Sequence, residues 1–305
     1  MTLLALDIGG TKTVAWACTQ DGRTSPPLRL ATPEGPDAGI AMLLQLGTKL
    51  AAGRRIAGIG VSIGGPIDRL GGTVSPLHQP AWRGVPLAAT LTEALGARVE
   101  VEVDTDGAAL AESLWGGHGL DPLLYLTVST GIGGGLVAGG TIQRGAKGAH
   151  PEVGHVLVPT GLEPTPCTCG SSDCLEALVS GRALERRHGR PCTSLDDAAW
   201  RQAGTWLGRG LASIVTCLAP AVVVIGGGVA VGAGNRLLAP AAAELDRRLR
   251  LVPRPALRPA ALGYASAAAG ALALAARAAG QPPPPLDPEA IRAAAIAMQE
   301  PRHAD

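Results

Sequence analysis

The sequence lacks phenylalanine, contains only two tyrosines and uses lysine at three positions, whereas alanine, glycine, arginine and proline are abundant. Such a bias is typical of a skewed nucleotide composition and indicates no function. Excess charge is also absent, because 26 Lys and Arg residues balance 25 Asp and Glu residues. A chain with so weak a field does not hold a nucleic-acid backbone or an anionic membrane by charge alone. We therefore expect its partners to be small molecules or further copies of itself.

Targeting and membrane signals are missing as well. Met1 is followed directly by a strand-like run, without the basic stretch, apolar core and cleavage site of a signal peptide, so we expect a cytoplasmic protein. The long apolar segment 261–280 is mostly alanine and glycine and contains Arg277. Its low hydropathy per residue favours a closely packed helix over a membrane span.

The order of apolar and polar segments predicts an α/β chain. Residues 3–23 and 123–145 each show an apolar strand, a Gly/Thr turn and a second apolar strand, which indicates an internal duplication. Strand-like runs alternate with helical stretches, as in α/β folds with mainly buried sheets. After Gly280, four prolines predict a stiff spacer, and Asp287 with Pro288 predicts the start of a short helix.

Three glycine-rich turns each follow an apolar strand: "DIGGTKT" (7–13), "STGIGGG" (129–135) and "GGG" (226–228). Glycine lets the backbone approach a ligand closely, so that successive N–H groups can point at phosphate oxygens. A lone glycine turn is more often only a tight hairpin, and neither a P-loop nor a G-x-G-x-x-G in its proper setting is present. Three such turns, with Asp7, Thr11, Lys12 and Thr130 beside them, favour a nucleotide polyphosphate as the ligand.

Asp104 follows the alternating strand "VEVEV" (99–103) and precedes a predicted helix. In open α/β sheets, ligands bind at the carboxyl ends of the strands, so this carboxylate is a candidate general base. The other interpretation is that Asp104 and Asp106 merely cap the helix. The residues alone do not separate the two interpretations.

Three cysteines fall within "CTCGSSDCLE" (167–176), and His155 in "HPEVGH" precedes them by twelve positions. Three thiolates and one imidazole make a closed tetrahedral site of the kind that structural Zn²⁺ occupies. The odd count argues against a disulfide, and a C-x-x-C redox pair is absent. Unrelated reduced thiols are the alternative, and Cys18, Cys192 and Cys217 are expected to be packing residues.

Taken together, these motifs resemble those of the ROK family of sugar kinases and repressors, within the actin-like, hexokinase-like superfamily. "LDIGGTK" and "STGIGGG" resemble its two phosphate motifs, "VIGGGV" its adenosine turn, and "PEVGH" with "CTCGSSDCLE" its sugar and zinc segment. The likeness covers about 3–280. It implies two actin-like (ribonuclease H-like) α/β domains with an active-site cleft between them. The expected divisions are a small domain 1–103 joined by the helix near 265–280, a large domain 104–264 with the zinc loop, and a tail 281–305.

The resemblance also implies a role for individual residues. Asp104 falls on the general base of the motif that reads "VEVDTDGAALAE" here, and Asp7 on the residue that places Mg²⁺, directly or through water. ATP would be bound by Asp7, Gly9, Gly10, Thr11, Lys12, Thr130 and Gly131, with Gly226, Gly227 and Gly228 against the adenosine. The sugar would be bound by Gly65, His78, Asp104, Glu152, His155 and Glu176. Zinc would be bound by His155, Cys167, Cys169 and Cys174.

Several positions depart from the family pattern. Val103 and Asp106 stand where asparagines are usual, and His78 lies near the position of another asparagine. A valine cannot hydrogen-bond a sugar hydroxyl, so these changes suggest an altered or lost substrate. Pro151 replaces a glycine and His150 a small residue, which predicts a stiffer or displaced backbone before Glu152.

The resulting expectation is an ATP-dependent kinase that phosphorylates a hexose or amino sugar, with C6 as the expected hydroxyl. A sugar-binding or regulatory protein that has lost turnover is the alternative. A ROK repressor needs an N-terminal helix-turn-helix domain, for which the position of Asp7 leaves no room. The zinc cluster favours ATP over polyphosphate as donor, and a homodimer or homotetramer is expected.

Overall fold

The computed structural model describes residues 1–299, so the end of the predicted tail, 300–305, lies outside the described residues. The strands are β1 (Thr2–Ile8), β2 (Lys12–Cys18), β3 (Leu28–Ala31), β4 (Ile56–Ile63), β5 (Ile67–Asp68), β6 (Thr73–Val74), β7 (Val99–Val103), β8 (Leu123–Val128), β9 (Ile132–Ala138), β10 (Thr141–Ile142), β11 (Val222–Gly226) and β12 (Ala256–Pro259). The helices are α1 (Pro36–Ala51), α2 (Leu87–Leu95), α3 (Asp104–Trp115), α4 (Leu175–Val179), α5 (Gly181–His188), α6 (Asp197–Leu218), α7 (Gly228–Ala233), α8 (Asn235–Arg248), α9 (Ser266–Ala278) and α10 (Pro288–Ala297).

The chain divides into two compact units. Unit 1 comprises Met1–Gly117, Gly145–His150 and the described residues from Ala261 onward, and unit 2 comprises His118–Arg144 and Pro151–Ala260. Each unit contains a five-stranded sheet, with the strand order β3-β2-β1-β4-β7 in unit 1 and β10-β9-β8-β11-β12 in unit 2.

The two sheets repeat one pattern of strand pairing. In unit 1, β1 pairs antiparallel with β2 and parallel with β4. In unit 2, β8 pairs antiparallel with β9 and parallel with β11. The hairpins β1–β2 and β8–β9 therefore hold equivalent places, which confirms the internal duplication predicted from residues 3–23 and 123–145.

The sheet of unit 1 is covered on both faces, because successive side chains of a strand point to opposite sides. Leu4, Leu6 and Ile8 of β1 share a core with residues of α1 and α2. Helix α9 packs against β4 and β1. This contact is close, since a methyl group at Gly58 or Gly60 of β4 would overlap with the backbone of α9.

The core of unit 2 is built from β8 and β11 with helices α4, α6 and α8. Helix α6 begins at the cap residue Asp196, whose carboxylate accepts a hydrogen bond from Ala199 N. It packs along α8, where Gly204 and Gly208 admit the backbone of that helix. Large apolar side chains fill the rest of this core, among them Trp200 and Trp206.

Helix α3 lies in unit 1, so the boundary falls after Gly117 and not after Val103, where the sequence suggested it. The reason is that α3 packs directly on α9, with Gly107 against Gly270. The buried carboxylate of Glu112 in α3 also accepts hydrogen bonds from Ala261 N and Leu262 N, both at 3.0 Å. These contacts hold α3 to the segment that precedes α9.

Helix α10 begins where the sequence predicted, with Asp287 as its cap residue and Pro288 in its first turn. Within residues 1–299, no helix combines the length and the apolar character that crossing a membrane requires.

Candidate functional site

Two predicted site carboxylates, Asp7 and Asp104, lie at the same edge of the unit 1 sheet. Asp7 is near the end of β1 and Asp104 follows β7, with β4 between these two strands. Asp7 lies opposite Ser62, and Val103 lies opposite Ile63. Because β1, β4 and β7 are parallel, their carboxyl ends meet at one edge, which is where open α/β sheets bind ligands.

The ionisation of Asp7 reflects this neighbourhood. Burial and the charge of Asp104 raise the pKa of Asp7 to about 7, although the charge of Lys12 and the nearby Ser62 hydroxyl act in the opposite direction. The negative charge of Asp104 thus favours the protonated form of Asp7, and two such carboxylates at one edge offer the oxygen donors that hard divalent cations take.

Asp104 is the first residue of α3 and remains partly exposed, whereas its neighbours Val103 and Thr105 are buried. Its Oδ1 accepts a hydrogen bond from Thr105 N at 2.7 Å, which fixes the carboxylate near the start of the helix. Burial raises the pKa of Asp104, while the hydrogen bond from Thr105 and the imidazoles of His150 and His78 lower it. The carboxylate is therefore only partly accessible, with two imidazoles and one backbone N–H among the groups that act on its charge.

The glycine turn between β1 and β2 is narrow. Gly9 N donates to the carbonyl of Lys12 at 2.9 Å, and a methyl group at Gly9 would lie 2.9 Å from that oxygen. Thr32 Oγ1 donates to the carbonyl of Gly9 at 2.7 Å and so anchors the turn. Gly10 and Thr11 at its tip are exposed, as a phosphate-binding turn requires.

The residues that depart from the family pattern also lie in unit 1, apart from Pro151. Val103 is buried, and a methyl group at Gly65 would lie 3.5 Å from its Cγ2 atom. His78 lies beside Gly10, since a methyl group at Gly10 would be 4.0 Å from the Cβ atom of His78. Gly65, predicted as a sugar contact, thus lies near Val103, and His78 lies near Gly10 of the first glycine turn.

Two contacts between a buried acidic side chain and a partly buried basic one were not predicted from the sequence. His150 Nδ1 lies 2.9 Å from Asp106 Oδ2, and Arg69 pairs with Glu102, whose side chain is fully buried. The sequence marked His150 and Asp106 only as departures, and Asp106 also as a possible cap. The signal that the sequence offered was that His150 is basic and Asp106 is acidic, although the two lie 44 positions apart.

In unit 2, Glu176 supports the second glycine turn. Its Oε2 atom accepts a hydrogen bond from Ile132 N at 2.9 Å. A methyl group at Gly131 would lie 2.7 Å from the same oxygen, so a larger residue there would require the Glu176 carboxylate to shift. Gly181 N donates to the carbonyl of Ser129 at 2.7 Å and holds the other side of the turn. Glu176 and Gly131, predicted for different ligands, are thus neighbours.

The third glycine turn joins β11 to α7. Gly227 has φ +91°, a conformation that L side chains rarely adopt. A methyl group at Gly226 would overlap with Tyr125, so this glycine is required by packing. Gly228 begins α7.

The predicted metal ligands come together in unit 2. The ligand atoms of His155, Cys167, Cys169 and Cys174 all lie within 4.8 Å of one another. Cys167 Sγ is 3.6 Å from His155 Nδ1, and Cys169 Sγ is 3.6 Å from Cys174 Sγ. Bond lengths of about 2.0–2.3 Å to a central zinc ion give tetrahedral edges of roughly 3.3–3.8 Å, so the donor set fits that ion.

The thiols in this cluster differ in their surroundings. Burial raises the pKa of Cys174 to about 12, whereas the hydrogen bond from the backbone of Ser171 and contacts with the other thiols lower the pKa of Cys169, which is exposed. Glu152, at the start of the turn Val153–His155, is exposed as well.

The comparisons with known proteins agree with this arrangement. The sequence matches the model of the ROK family over residues 3–278. It is 35% identical to the kanosamine kinase of Amycolatopsis mediterranei, an alignment that covers 89% of this chain and 95% of that protein. The ROK hexokinase of Thermus thermophilus is similar in structure, with a TM-score of 0.79, 36% identity, and coverage of 90% of this chain and 98% of that one.

A ROK family glucokinase from Streptomyces griseus, solved in complex with glucose and AMPPNP, has a TM-score of 0.76 and 27% identity, with coverage of 91% of this chain and 100% of that chain. The duplicated sheets and their similarity to these structures define an α/β protein with the actin-like ATPase fold. Within that class, the chain belongs to the ROK family.

Proposed function

We propose that this protein is an ATP-dependent sugar kinase that transfers the γ-phosphoryl group to a hydroxyl of a hexose or amino sugar, with C6 as the expected position. The observation that carries the proposal is the partly exposed carboxylate of Asp104 at the strand edge that also holds Asp7. The family supports it, since the similar proteins are named hexokinase, glucokinase and kanosamine kinase.

Asp104 acts as the general base in this proposal. It accepts the proton of the sugar hydroxyl while the hydroxyl oxygen attacks the γ-phosphorus in line. A base works best when its pKa lies near the working pH, and burial raises the pKa of Asp104 in that direction. The hydrogen bond from Thr105 N keeps the carboxylate oriented.

The phosphate groups of ATP are assigned to the two glycine turns. The turn of unit 1 contributes Gly9, Gly10, Thr11 and Lys12, and that of unit 2 contributes Thr130 and Gly131. Asp7 would hold Mg²⁺, directly or through water, because its carboxylate belongs to the oxygen donor set at the strand edge. When bound, this ion offsets charge on the phosphate oxygens.

His155, Cys167, Cys169 and Cys174 would bind a structural Zn²⁺, which leaves no open position for catalysis. Cys174 immediately precedes α4, and Glu176 lies in the first turn of that helix. Fixing the cluster therefore fixes Glu176 and, through its hydrogen bond to Ile132 N, the second glycine turn.

We assign sugar contacts to Gly65, His78, Glu152, His155 and Glu176, in addition to Asp104. Val103 is buried and apolar where an amide is usual, so one hydroxyl of a common hexose would lack its partner. This favours a sugar with a modified substituent, for which the kanosamine kinase relative offers the class of amino sugars.

The test measures ADP release with a panel of hexoses, N-acetylhexosamines, aminodeoxyhexoses and ketohexoses. Asp104→Asn keeps the size of the side chain and removes the base, so we expect at least about a hundredfold loss of kcat. Asp37→Asn is the matched control, because Asp37 also lies in the first turn of a unit 1 helix and is exposed.

Sugar-stimulated ADP release that survives Asp104→Asn would contradict the assignment of the base. If no sugar stimulates ADP release, calorimetric titration with the same panel tests whether the protein binds a sugar at all. Sugar binding without turnover would replace the kinase with a sugar-binding or regulatory protein.

A further inference from the structure

The described tail, residues 281–299, follows the segment that matches the family model and packs onto unit 1. Three hydrogen bonds attach it at separate points. Gln20 Nε2 donates to the carbonyl of Pro282 at 2.9 Å, and Trp115 Nε1 donates to that of Pro284 at 3.2 Å. Arg29 Nη1 donates to the carbonyl of Gln299 at 3.3 Å. The tail is therefore part of the folded unit.

Helix α10 in this tail has one buried face. Ile291 is 1% exposed, whereas Ile296 of the same helix is 63% exposed. Asp287 caps the helix by accepting a hydrogen bond from Glu289 N at 2.9 Å. The helix packs against the short turn Gly263–Ala265, which precedes α9.

That turn is supported by a second element. Glu112 of α3 accepts hydrogen bonds from Ala261 N and Leu262 N, and also from Ser266 Oγ at 2.9 Å. Ser266 Oγ in addition lies 2.9 Å from the carbonyl oxygen of Gly263. Residues 261–266 are thus held by α3 through hydrogen bonds and by α10 through packing.

The side chain presented by this turn is Tyr264. The Nζ atom of Lys12 lies 5.7 Å from the centre of the Tyr264 ring. This is within the range of a cation–π contact, in which the negative face of the ring attracts the ammonium group. Lys12 belongs to the first glycine turn and is assigned to the phosphate groups of ATP.

We propose that Tyr264 is a positioning residue for Lys12, and that helix α10 holds Tyr264 in place. The proposal rests on the proposed function, because it assumes that Lys12 binds a nucleotide phosphate. A lysine side chain has many rotamers, and binding a phosphate costs the freedom among them. The ring of Tyr264 restricts Lys12 before ATP arrives and so strengthens nucleotide binding without contacting the sugar.

The test uses the full-length protein and two readouts, ATP kinetics at saturating sugar and calorimetric titration with AMPPNP. Tyr264→Leu removes the ring, so the KM for ATP and the Kd for AMPPNP should rise about two- to fivefold, the size of an exposed cation–π contact. The kcat and the KM for sugar should stay within about twofold, because a merely structural loss would lower kcat and leave the KM for ATP unchanged. Tyr264→Phe keeps the ring and should retain the parental values.

The contribution of α10 is tested with two isoleucines of that helix. Ile291→Ala removes a buried contact and should raise the Kd for AMPPNP in the same direction as Tyr264→Leu. Ile296→Ala is the matched control on the exposed face and should leave it unchanged. Thermal unfolding of each variant verifies that it is folded.

If the Kd for AMPPNP is unchanged in Tyr264→Leu, the proposal is overturned. It is also overturned if Tyr264→Phe weakens AMPPNP binding as much as Tyr264→Leu does. The binding titration needs no turnover, so a parent that binds AMPPNP but phosphorylates no sugar rejects the kinase and still decides the role of Tyr264. A parent that binds no nucleotide overturns both.

Discussion

His150 Nδ1 donates a hydrogen bond to Asp106 Oδ2, and the two atoms lie 2.9 Å apart. The side chain of Asp106 is 1% exposed and that of His150 is 14% exposed. Both residues depart from the pattern that the sequence resembles, and the structure shows that they contact each other. A buried carboxylate needs a partner, and here the imidazole supplies it.

The first prediction concerns the stability of this pair. His150→Ala leaves the Asp106 carboxylate buried without that donor, so the free energy of unfolding should fall by about 1–3 kcal/mol. Asp106→Asn keeps an oxygen acceptor for His150 without the charge, and its loss should be smaller. Urea unfolding measures both values. A loss below about 0.5 kcal/mol for His150→Ala would mean that the pair contributes little.

The second prediction concerns the pH dependence of stability at Glu244. Burial alone would raise the pKa of Glu244, but hydrogen bonds from Arg248, Arg247 and Arg209 lower it from 4.5 to about 2. A carboxylate with a lowered pKa in the folded state stabilises the fold above its unfolded pKa, and this contribution is lost as the pH falls towards the folded value.

Because Arg247 and Arg248 are exposed, solvent screens part of this contribution, and at pH 7 Glu244→Gln should cost on the order of 1–2 kcal/mol. The difference in unfolding free energy from the parent should shrink between about pH 4.5 and pH 2. Asp246→Asn is the control, because the ion pair of Asp246 with Arg254 is exposed and should contribute less than about 1 kcal/mol. Denaturant unfolding across this pH range measures the difference. If the difference in unfolding free energy between Glu244→Gln and the parent stays constant with pH, the lowered pKa of Glu244 is not its cause.

The third prediction concerns metal content. The purified protein should contain about one equivalent of zinc per chain, and Cys169→Ser should lose it. Cys217→Ser should retain it, because Cys217 is also exposed but lies outside the cluster. Atomic emission spectroscopy measures the metal. Equal zinc in the two variants would show that the metal, if bound, is held elsewhere.

The fourth prediction concerns the contact between Gly131 and Glu176. In Gly131→Ala the new methyl group would displace the carboxylate that accepts from Ile132 N. A displacement of about 1 Å can cost about a hundredfold in rate, so we expect at least about a tenfold fall in kcat/KM for the sugar. Gly232→Ala in α7 is the control, because nothing lies within 4 Å of that position. If the two variants have the same kcat/KM, the position of Glu176 does not matter for the reaction.

The features that sequence analysis predicted are those with a local signal. The duplicated hairpins follow from strand and glycine patterns within about twenty residues, and the Cys/His cluster follows from fixed spacing. The start of α10 was likewise readable, because Asp287 and Pro288 are adjacent residues with well-defined preferences at a helix start.

The features that it missed depend on contacts between distant positions. His150 and Asp106 are 44 positions apart, and Glu112 lies about 150 positions before its backbone partners. A glutamate within an apolar helix segment gives no sign of its partner. For the same reason the sequence did not show that α3 packs on α9, which moved the boundary of unit 1 beyond Val103.

The seam between β4 and α9 brings main chain against main chain, with glycine at positions 58 and 60 and an alanine-rich helix opposite. The protein contains no phenylalanine. Dense packing at this seam comes from the short distance between the two backbones and not from large side chains. Such a seam has no side chain that could rearrange to absorb an insertion of volume. Larger residues at positions 58 and 60 should therefore destabilise unit 1, whereas substitutions on its exposed surface should be tolerated better.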